Sequence, residues 1–272
     1  MNKPSAIARS TARFWQGKCV IITGASSGIG AALAMEVGQL GARVGLIARR
    51  EEALVNLAES LKQLGVSAAY VAADVADGGA ICSAVHRLEA DLAPCDVAIA
   101  NAGIYRKTIV GQFDAAIAQD VFNTNVVGVS NLFAAVTSGM ILRGKGHLVA
   151  VSSVAAMLGL PGAAAYCASK AAVARMCDSL RVDLHEKGVR VTTVFPGYVD
   201  TAMITDEERA TLKHLVSVRE AARRIAWSIE RGRGEYYFPW QTWLEAKLAS
   251  LLPFPLFYRV MKWVGDMEET GQ

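Results

Sequence analysis

Six short runs of almost uninterrupted apolar residues constrain the fold of this chain more than any other feature. They lie at residues 19–23, 43–48, 68–73, 96–100, 146–152 and 189–195. Runs of this length suit strands that are buried on both faces of a sheet. Longer amphipathic stretches lie between them, at 29–40, 51–64, 80–92 and 165–187, and their apolar spacing predicts helices. The alternation of strand and helix predicts an α/β fold with a doubly wound parallel sheet and right-handed crossovers.

The domain organisation follows from the absence of any visible boundary inside the chain. No Pro- or Ser-rich linker divides the 272 residues, which favours a single domain of the Rossmann type. We expect a basic arm at 1–17, a main domain at 18–237 and a short aromatic-rich C-terminal extension at 238–272. The arm holds basic residues and no acidic one, which faintly resembles a transit peptide, but a plain basic arm is the favoured interpretation.

Charge and cysteine usage exclude several functions. The net charge is only +3, and Lys and Arg are spread along the chain, so we expect no nucleic-acid binding. The composition is 53% hydrophobic, but the apolar stretch 93–105 contains Pro, Asp, Asn and Gly and does not suit a membrane-spanning helix. The five cysteines show no CxxC spacing and the four histidines are scattered. We therefore expect no disulfide and no metal, and a cytoplasmic location with reduced thiols.

A glycine-rich segment, TGASSGIG at 23–30, directly follows the first apolar run and opens the first predicted helix. Gly24, Gly28 and Gly30 permit a tight turn and a close approach of the backbone to a pyrophosphate, which the helix N-terminus then stabilises. A glycine motif alone is weak evidence, but the strand before it and the helix after it provide the required context. The segment predicts a dinucleotide site, and hence a dinucleotide-binding main domain.

Two arginines, Arg49 and Arg50, follow the second apolar run, where an acidic residue would bind the free 2′-hydroxyl of a ribose. Guanidinium groups form charge-assisted hydrogen bonds with phosphate, so this pair favours NADP(H) over NAD(H). Solvated surface arginines are the alternative. After the third run, Asp74 is placed to accept a hydrogen bond from the adenine amino group, and a turn-forming Asp is an equally good interpretation.

A tyrosine and a lysine, Tyr166 and Lys170, lie four positions apart in a stretch of small apolar residues. Positions i and i+4 share one face of a helix, so the phenol and the amine reach the same region of space. The pair is either accidental or a proton donor beside a cation that adjusts its pKa.

The motifs resemble those of the short-chain dehydrogenase/reductase family, in its single-domain NADP(H)-dependent branch. The matching segments run in order over residues 18–232: TGASSGIG, NAG at 101–103, NTNVVG at 123–128, VSS at 151–153, YCASK at 166–170 and PGYVDT at 196–201. Each motif is common alone, but six in this order and spacing are very specific.

The resemblance implies a catalytic set of Asn125, Ser153, Tyr166 and Lys170. Tyr166 is expected to be the general acid/base, Lys170 to lower its pKa, and Ser153 to bind the substrate oxygen. Asn125 is expected to hold a water that links Lys170 to solvent. Ser152 and Asn123 are the alternatives, while Cys167 is expected only to pack.

The resemblance also assigns most of the remaining motif residues to the cofactor, expected to be NADP(H). Besides Tyr166 and Lys170, the expected binding residues are Gly24, Ser26, Ser27, Gly28, Ile29, Gly30, Arg49, Arg50, Asp74, Val75, Asn101, Ala102, Gly103, Pro196, Gly197, Val199 and Thr201.

Substrate selection is expected to depend on the segment 202–217, interpreted as a lid. The predicted pocket is apolar, and its candidate residues are Ile104, Val154, Ala155, Leu158, Leu160, Met203 and Ile204. Such walls favour a small hydrophobic carbonyl substrate.

The extension holds three of the five tryptophans and several leucines within 238–264. Three interpretations stand: peripheral membrane contact, cover of the substrate cleft, or a subunit interface. The family resemblance adds a homo-oligomer, a dimer or tetramer, assembled through helices near 112–139 and 165–187.

The predicted function is NADPH-dependent reduction of a hydrophobic ketone or 3-oxoacyl group. Oxidation of a secondary alcohol with NADP is the alternative, because the same catalytic set works in both directions. A non-catalytic dinucleotide-sensing scaffold is disfavoured, because Tyr166 and Lys170 are both present.

Overall fold

All six predicted strands form, and they pair in parallel in one sheet with a seventh strand. The computed structural model describes residues 13–108, 111 and 113–269, with the backbone alone at 207, 208, 211 and 263–269. The sheet strands are β1 Cys19–Thr23, β2 Arg43–Ala48, β3 Ala68–Ala72, β4 Val97–Ala100, β5 Gly146–Val151, β6 Val189–Pro196 and β9 Glu235–Phe238. Two short strands, β7 Val199–Asp200 and β8 Val216–Ser217, form a separate parallel pair.

The helices fill the connections between strands, as the apolar spacing predicts. They are α1 Gly28–Gln39, α2 Glu51–Gln63, α3 Gly78–Asp91, α4 Ala115–Phe122, α5 Gly128–Leu142, α6 Ala164–Asp183, α7 Asp206–Thr211, α8 Val218–Glu230, α9 Trp240–Ser250 and α10 Phe254–Glu269. One π-helical turn, Asn123–Val127, joins α4 to α5, and a 3-10 turn, Val154–Met157, follows β5.

The sheet is buried on both faces, which explains why its strands have apolar residues at successive positions. Along β1, Val20 and Ile22 face one core cluster and Cys19 and Ile21 face the other, as the two-residue period of a strand requires. The first cluster packs under α1, α2 and α8, and the second under α3, α5 and α6. The predicted doubly wound α/β fold is therefore confirmed.

The strand order is β3-β2-β1-β4-β5-β6-β9, and it places β1 beside β4. The chain winds outward in opposite directions from this pair, so a crevice opens beyond their carboxyl ends. The segments that follow β1, β4, β5 and β6 border this crevice.

Both ends of the described chain enter the core. Trp15 is fully buried in the first cluster, so the packed domain begins before residue 18, whereas residues 1–12 of the predicted basic arm lie outside the described residues. At the other end, Phe238 of β9 pairs with Pro196 of β6 and is also fully buried. Arg181 of α6 links these two strands, donating to the carbonyls of Val191 at 3.1 Å and Gly234 at 2.8 Å.

The stretch from Ala115 to Leu142 is long and apolar enough to cross a membrane by length and composition alone. In the fold, Leu132, Phe133 and Val136 of this stretch belong to the second core cluster, and Val121 is fully buried. It also carries Asn125 into the interior, with none of that side chain exposed. This is the placement of a core helix.

Candidate active site

Two adjacent serines at the end of β5 point in different directions, and the structure distinguishes them. Ser153 forms a hydrogen bond with the side chain of Tyr166, while its Oγ donates to the carbonyl of Pro196 at 3.4 Å. Ser152 donates instead to the backbone carbonyl of Lys170, at 2.9 Å. Successive residues of an extended chain face opposite ways, so Ser153, and not the alternative Ser152, lies beside the phenol.

Lys170 lies one helical turn after Tyr166 on α6 and is almost completely buried. Its Nζ donates to the carbonyl of Val151 at 3.0 Å and lies 5.7 Å from the centroid of the Tyr166 ring. Burial lowers the pKa of Lys170 from 10.5 to about 8, because a low-dielectric surrounding disfavours the charged amine. The amine is still mostly protonated at neutral pH.

The protein's own groups raise the pKa of Tyr166 above its usual value of 10. Burial is the largest cause, Ser153 opposes it through its hydrogen bond, and Cys167 and Tyr105 add to it. Burial therefore outweighs the opposing hydrogen bond from Ser153, and Lys170 is not among the groups that shift this pKa. The expected effect of Lys170 on Tyr166 stays a prediction. Tyr166 is held in its protonated form at neutral pH.

The side-chain amide of Asn125 is held by three hydrogen bonds to protein groups, and its expected role in holding a water stays a prediction. Its Oδ1 accepts from the backbone N–H of Ile104 at 2.8 Å, and its Nδ2 donates to the Ile104 carbonyl at 3.0 Å and to Ser169 Oγ at 3.0 Å. Ser169 in turn donates to the carbonyl of Tyr166 at 2.7 Å. Asn125 thus connects the segment after β4 to the catalytic helix, while the alternative Asn123 is exposed.

The glycine loop after β1 has the shape that a pyrophosphate needs. Gly24 and Gly28 have φ of 67° and 55°, in the left-handed region that favours glycine. A Cβ at Gly30 would lie 2.3 Å from the carbonyl oxygen of Gly24, so no side chain fits there. Ser27 is the N-cap of α1, yet its side chain forms no capping hydrogen bond, which leaves the first N–H groups of α1 to an anion. Ile29, in the first turn, packs against the core.

The NAG segment supports this loop from the neighbouring strand. Asn101 donates through Nδ2 to the carbonyls of Thr23 at 3.1 Å and Gly24 at 3.3 Å. The backbone N–H of Ala102 donates to Thr23 Oγ1 at 3.3 Å. A Cβ at Gly103 would lie 3.3 Å from both Asn125 Oδ1 and Lys170 Nζ. The segment therefore links the cofactor loop to the catalytic set.

The two arginines after β2 make different contacts. Arg50 donates to Ser26 Oγ at 3.2 and 2.9 Å and to Ser27 Oγ at 2.6 Å, which brings its guanidinium against the glycine loop. Arg49 is mostly exposed and forms an ion pair with Asp74 at 3.6 Å. Asp74 also accepts from the N–H of Ala76 at 3.0 Å, so it makes the turn that the alternative interpretation predicted. Val75 is buried and packs toward Gly128.

The loop after β6 closes the other side of the crevice. The methyl group of Thr201 lies 3.3 Å from the position of a Cβ at Gly28, so this loop touches the glycine loop. Val199 is buried in β7, and the N–H of Gly197 donates to the carbonyl of Phe238 at 2.7 Å. Together with Pro196, which accepts from Ser153, these residues bring the predicted cofactor loop and catalytic set into one crevice.

The family model for short chain dehydrogenases matches residues 18–212, which is more than half of the chain. This chain is a short-chain dehydrogenase. It is accordingly an oxidoreductase that acts on CH–OH or carbonyl groups, in a family that uses NAD(P)(H).

Two relatives show the range of this family. The enzyme is 36% identical over 240 residues to an uncharacterized oxidoreductase of Myxococcus xanthus (strain DK1622), covering 88% of this chain and 94% of the relative. It is 30% identical over 202 residues to the ketoacyl reductase HetN of a Nostoc species, covering 74% and 70% of the two chains.

Solved structures support the fold and leave the choice of dinucleotide open. A short-chain dehydrogenase/reductase of Burkholderia phymatum in complex with NAD superposes with a TM-score of 0.79 at 23% identity, covering 86% of this chain and 93% of that one. A gluconate 5-dehydrogenase of Burkholderia cenocepacia J2315, in complex with NADP and tartrate, gives a TM-score of 0.75 at 28% identity, covering 84% and 96%.

Three residues of the short-chain dehydrogenase site escaped the sequence analysis. Thr23 Oγ1 accepts from the N–H groups of Asn101 and Ala102, and Ser169 joins Asn125 to the catalytic helix. Tyr105 contacts Tyr166 edge to face, with ring centroids 5.6 Å apart. Thr23 and Ser169 lie within the recognised motifs, and Tyr105 follows the NAG motif closely, so their positions in the sequence could have marked them as candidates. Their hydrogen-bond and ring partners depend on the fold and could not be read from the sequence.

The predicted pocket residues Val154, Ala155 and Leu160 belong to two different packed clusters. Val154 packs with Phe195 and Trp243, whereas Ala155 and Leu160 pack around Tyr166 with Tyr105 and Cys167. Met203 is half exposed, on the segment expected to be a lid, which contains α7 and β8. A cavity of about 220 Å³ is lined by other residues: Lys107, Thr108, Phe113, Asp114, Ile117, Ala118 and Ala165. Cys167 packs as expected, and its Sγ accepts from the N–H of Leu160 at 3.5 Å.

Within the residues that the structure describes, no group of three or more metal-ligating side chains is present. All five cysteines are unpaired thiols.

Proposed function

We propose that this short-chain dehydrogenase reduces the carbonyl of a hydrophobic ketone or 3-oxoacyl substrate with NADPH. The observation that carries the proposal is the cluster of Tyr166, Ser153 and the buried Lys170, whose amine lies 5.7 Å from the Tyr166 ring. This arrangement donates a proton to an oxygen on which negative charge develops.

The residues divide the chemistry between them. NADPH supplies the hydride when bound. Ser153 donates a hydrogen bond to the substrate oxygen and fixes its position. The Oη–H bond of Tyr166 breaks as its proton passes to that oxygen, which completes the alcohol. The phenolate left behind is stabilised by the ammonium of Lys170, before a proton from solvent restores the phenol.

The protonation state of Tyr166 supports the reductive direction. Reduction consumes the phenol, whereas oxidation of an alcohol needs the phenolate as a base. Because burial raises the pKa of Tyr166, the protein on its own favours the form that reduction uses. The oxidative reaction remains the alternative outcome of the assay below.

The preference for NADPH rests on Arg50 and Arg49 at the end of β2. Arg50 already bridges to both serines of the glycine loop, so its guanidinium lies where a 2′-phosphate would need a partner. Arg49 adds a second cation, partly neutralised by Asp74. Arg50→Ala, which removes the guanidinium, should raise the KM for NADPH about 10- to 100-fold and change the KM for NADH by no more than about threefold.

The substrate class rests on the apolar surroundings of the phenol. Tyr105, Ala155, Leu160 and Cys167 pack around Tyr166, and such walls fit a hydrocarbon better than a polyol. The likeness to a ketoacyl reductase supports the same class, whereas the likeness to a gluconate 5-dehydrogenase structure supports a polar hydroxy acid. Both classes therefore belong in the test.

The test is the initial rate of NADPH and NADH oxidation with apolar ketones, 3-oxoacyl thioesters and 5-oxogluconate, and of NADP⁺ reduction with the matching alcohols. We expect NADPH with an apolar ketone or thioester to give the highest kcat/KM. Tyr166→Phe should lower kcat about 10²- to 10⁴-fold without weakening NADPH binding. Arg50→Ala should reduce the preference for NADPH, while Arg87→Ala, a matched exposed arginine on α3, should not.

A preference for 5-oxogluconate would reject the apolar substrate, and faster alcohol oxidation at neutral pH would reject the direction. Equal use of NADH by the wild type would reject the role of the two arginines. The homo-oligomer built on helices near 112–139 and 165–187 and the cytoplasmic location stay predictions.

A further inference from the structure

The outer surface of the C-terminal helices carries a strip of exposed apolar side chains, here called the apolar strip. On α9 and its C-cap it consists of Trp240, Leu244, Leu248 and Leu251, whose exposed fractions range from 38% to 69%. At about 100° per residue these four positions fall within about 80° of the helix circumference. The strip continues at the start of α10 with Phe254 and Tyr258, whose rings lie 6.3 Å apart. Contiguous exposed apolar surface of this kind marks an interaction site.

The opposite face of α9 is fixed to the catalytic domain. Trp243 packs with Val154 and Phe195, and its ring lies 5.9 Å from that of Tyr237. The methyl group of Thr242 lies 3.0 Å from the position of a Cβ at Gly197. The apolar strip is therefore held in a fixed orientation, on a helix whose inner side contacts the loops that flank Ser153.

The charges nearest the apolar strip are mostly positive. Between residues 240 and 262 the cations are Lys247, Arg259 and Lys262, all exposed, and the only acid is Glu245. The other acids of these helices, Asp266, Glu268 and Glu269, belong to the last turns of α10, beyond the residues of the strip. Lys247 lies about 20° outside the arc of the apolar strip on one side, whereas Glu245 lies about 60° outside it on the other. Glu245 is also 4.0 Å from His214. An apolar face with a basic rim complements a surface that is apolar inside and anionic outside.

We propose that the apolar strip docks on the surface of an anionic lipid bilayer. The leucines and aromatic rings enter the boundary between headgroups and acyl chains, and Lys247, Arg259 and Lys262 contact the lipid phosphates. A second copy of the chain fits less well, because a two-fold interface would place the same basic surface against itself. The proposal does not depend on which substrate is reduced.

The position of the strip has a consequence for access. Only the thickness of α9, about 10 Å, separates the strip from the loops beside the catalytic serine. A docked enzyme would hold its crevice close to the headgroups, where apolar carbonyl compounds concentrate.

The test is flotation of the full chain with vesicles of phosphatidylcholine alone and of equal parts phosphatidylcholine and phosphatidylglycerol, without substrate. We expect binding to the mixed vesicles that weakens at high salt, and much less binding to phosphatidylcholine. Leu248→Ser/Leu251→Ser should lower binding at least about tenfold, and Lys247→Glu should lower it selectively for the mixed vesicles. Leu142→Ser, which removes an 89% exposed leucine on α5, should bind like wild type.

Two controls keep the result interpretable. The thermal midpoint and the NADPH affinity of each variant should match wild type, since none of these residues contacts the catalytic set. Failure of the wild type to float with either vesicle would overturn the proposal, as would undiminished flotation of the double variant. The strip would be assigned to a second copy instead if the wild type does not float and the double variant sediments as a smaller oligomer than the wild type in sedimentation velocity.

Discussion

Replacing Lys170 by methionine should remove activity yet alter stability in a way that depends strongly on pH. Burial lowers the pKa of this amine from 10.5 to about 8. A shift of one unit corresponds to about 1.36 kcal/mol, so keeping the buried ammonium charged costs roughly 3 kcal/mol at neutral pH. Methionine avoids that cost but leaves the Val151 carbonyl without its donor, a loss of about 1 to 3 kcal/mol.

The sign of the pH effect follows from proton binding. Between about pH 8 and pH 10.5, Lys170 is protonated in the unfolded chain and deprotonated in the folded protein. Its contribution to the free energy of unfolding of the wild type therefore rises with pH. Lys170→Met should therefore be about as stable as wild type or more stable near neutrality. It should lose roughly 3 kcal/mol relative to wild type as the pH approaches 10.5.

The assay is urea unfolding of both proteins in matched buffers across this range. Burial raises the pKa of Cys19 to about 12 and of Cys177 to about 11, and these groups lower the stability of both proteins above pH 9. The difference between the two curves removes that contribution and isolates Lys170. A difference that stays constant with pH would show that the folded amine titrates normally, and the reasoning from burial would be refuted.

Two further predictions concern single positions. Gly30→Ala would place a Cβ 2.3 Å from the carbonyl oxygen of Gly24, so we expect weaker NADPH binding in fluorescence titration and a free energy of unfolding lower by about 1 to 3 kcal/mol. The control Gly159→Ala, where a Cβ would have no atom within 4 Å, should change neither quantity. Equal effects of the two substitutions would contradict the steric argument. Burial lowers the pKa of His147 from 6.5 to about 3, so the folded protein should lose stability as the pH falls below 6.5, by about 2 kcal/mol at pH 5. His147→Gln should unfold with a weaker acid dependence, and a slope equal to that of wild type would exclude His147 as the cause.

The fold was predictable because the strands of its centre are aliphatic and buried on both faces. The seventh strand was missed because β9 reads Glu-Tyr-Tyr-Phe and only Phe238 is fully buried. The predicted domain boundary fell inside this strand, with Tyr236 and Tyr237 at the end of the main domain and Phe238 in the extension, although tyrosine and phenylalanine are common in strands. A strand of four residues at the edge of a sheet has too few apolar positions for its periodicity to distinguish it from the adjacent segments of the sequence.

The site was predictable where spacing alone decides. Tyr166 and Lys170 share one face of a helix whether or not that face is buried. Ser153 and Ser152 point in opposite directions along an extended chain, so only one of them can face Tyr166. The pKa of Tyr166 and the partners of Asn125 were not predictable, because both depend on segments distant in sequence. Tyr105 and Ile104 reach the site only when the segment after β4 folds against α6.

Trp15 and Phe238 belong to one core cluster, although one lies near the start of the described chain and the other in the last strand of the sheet. Synthesis delivers the N-terminal residues first, so Trp15 leaves the ribosome long before the strand that completes its surroundings. The core around Trp15 is therefore completed only after β9 has been released. A nascent chain stalled before residue 235 would present an unfinished sheet edge and a partly uncovered tryptophan, which are the features that chaperones recognise.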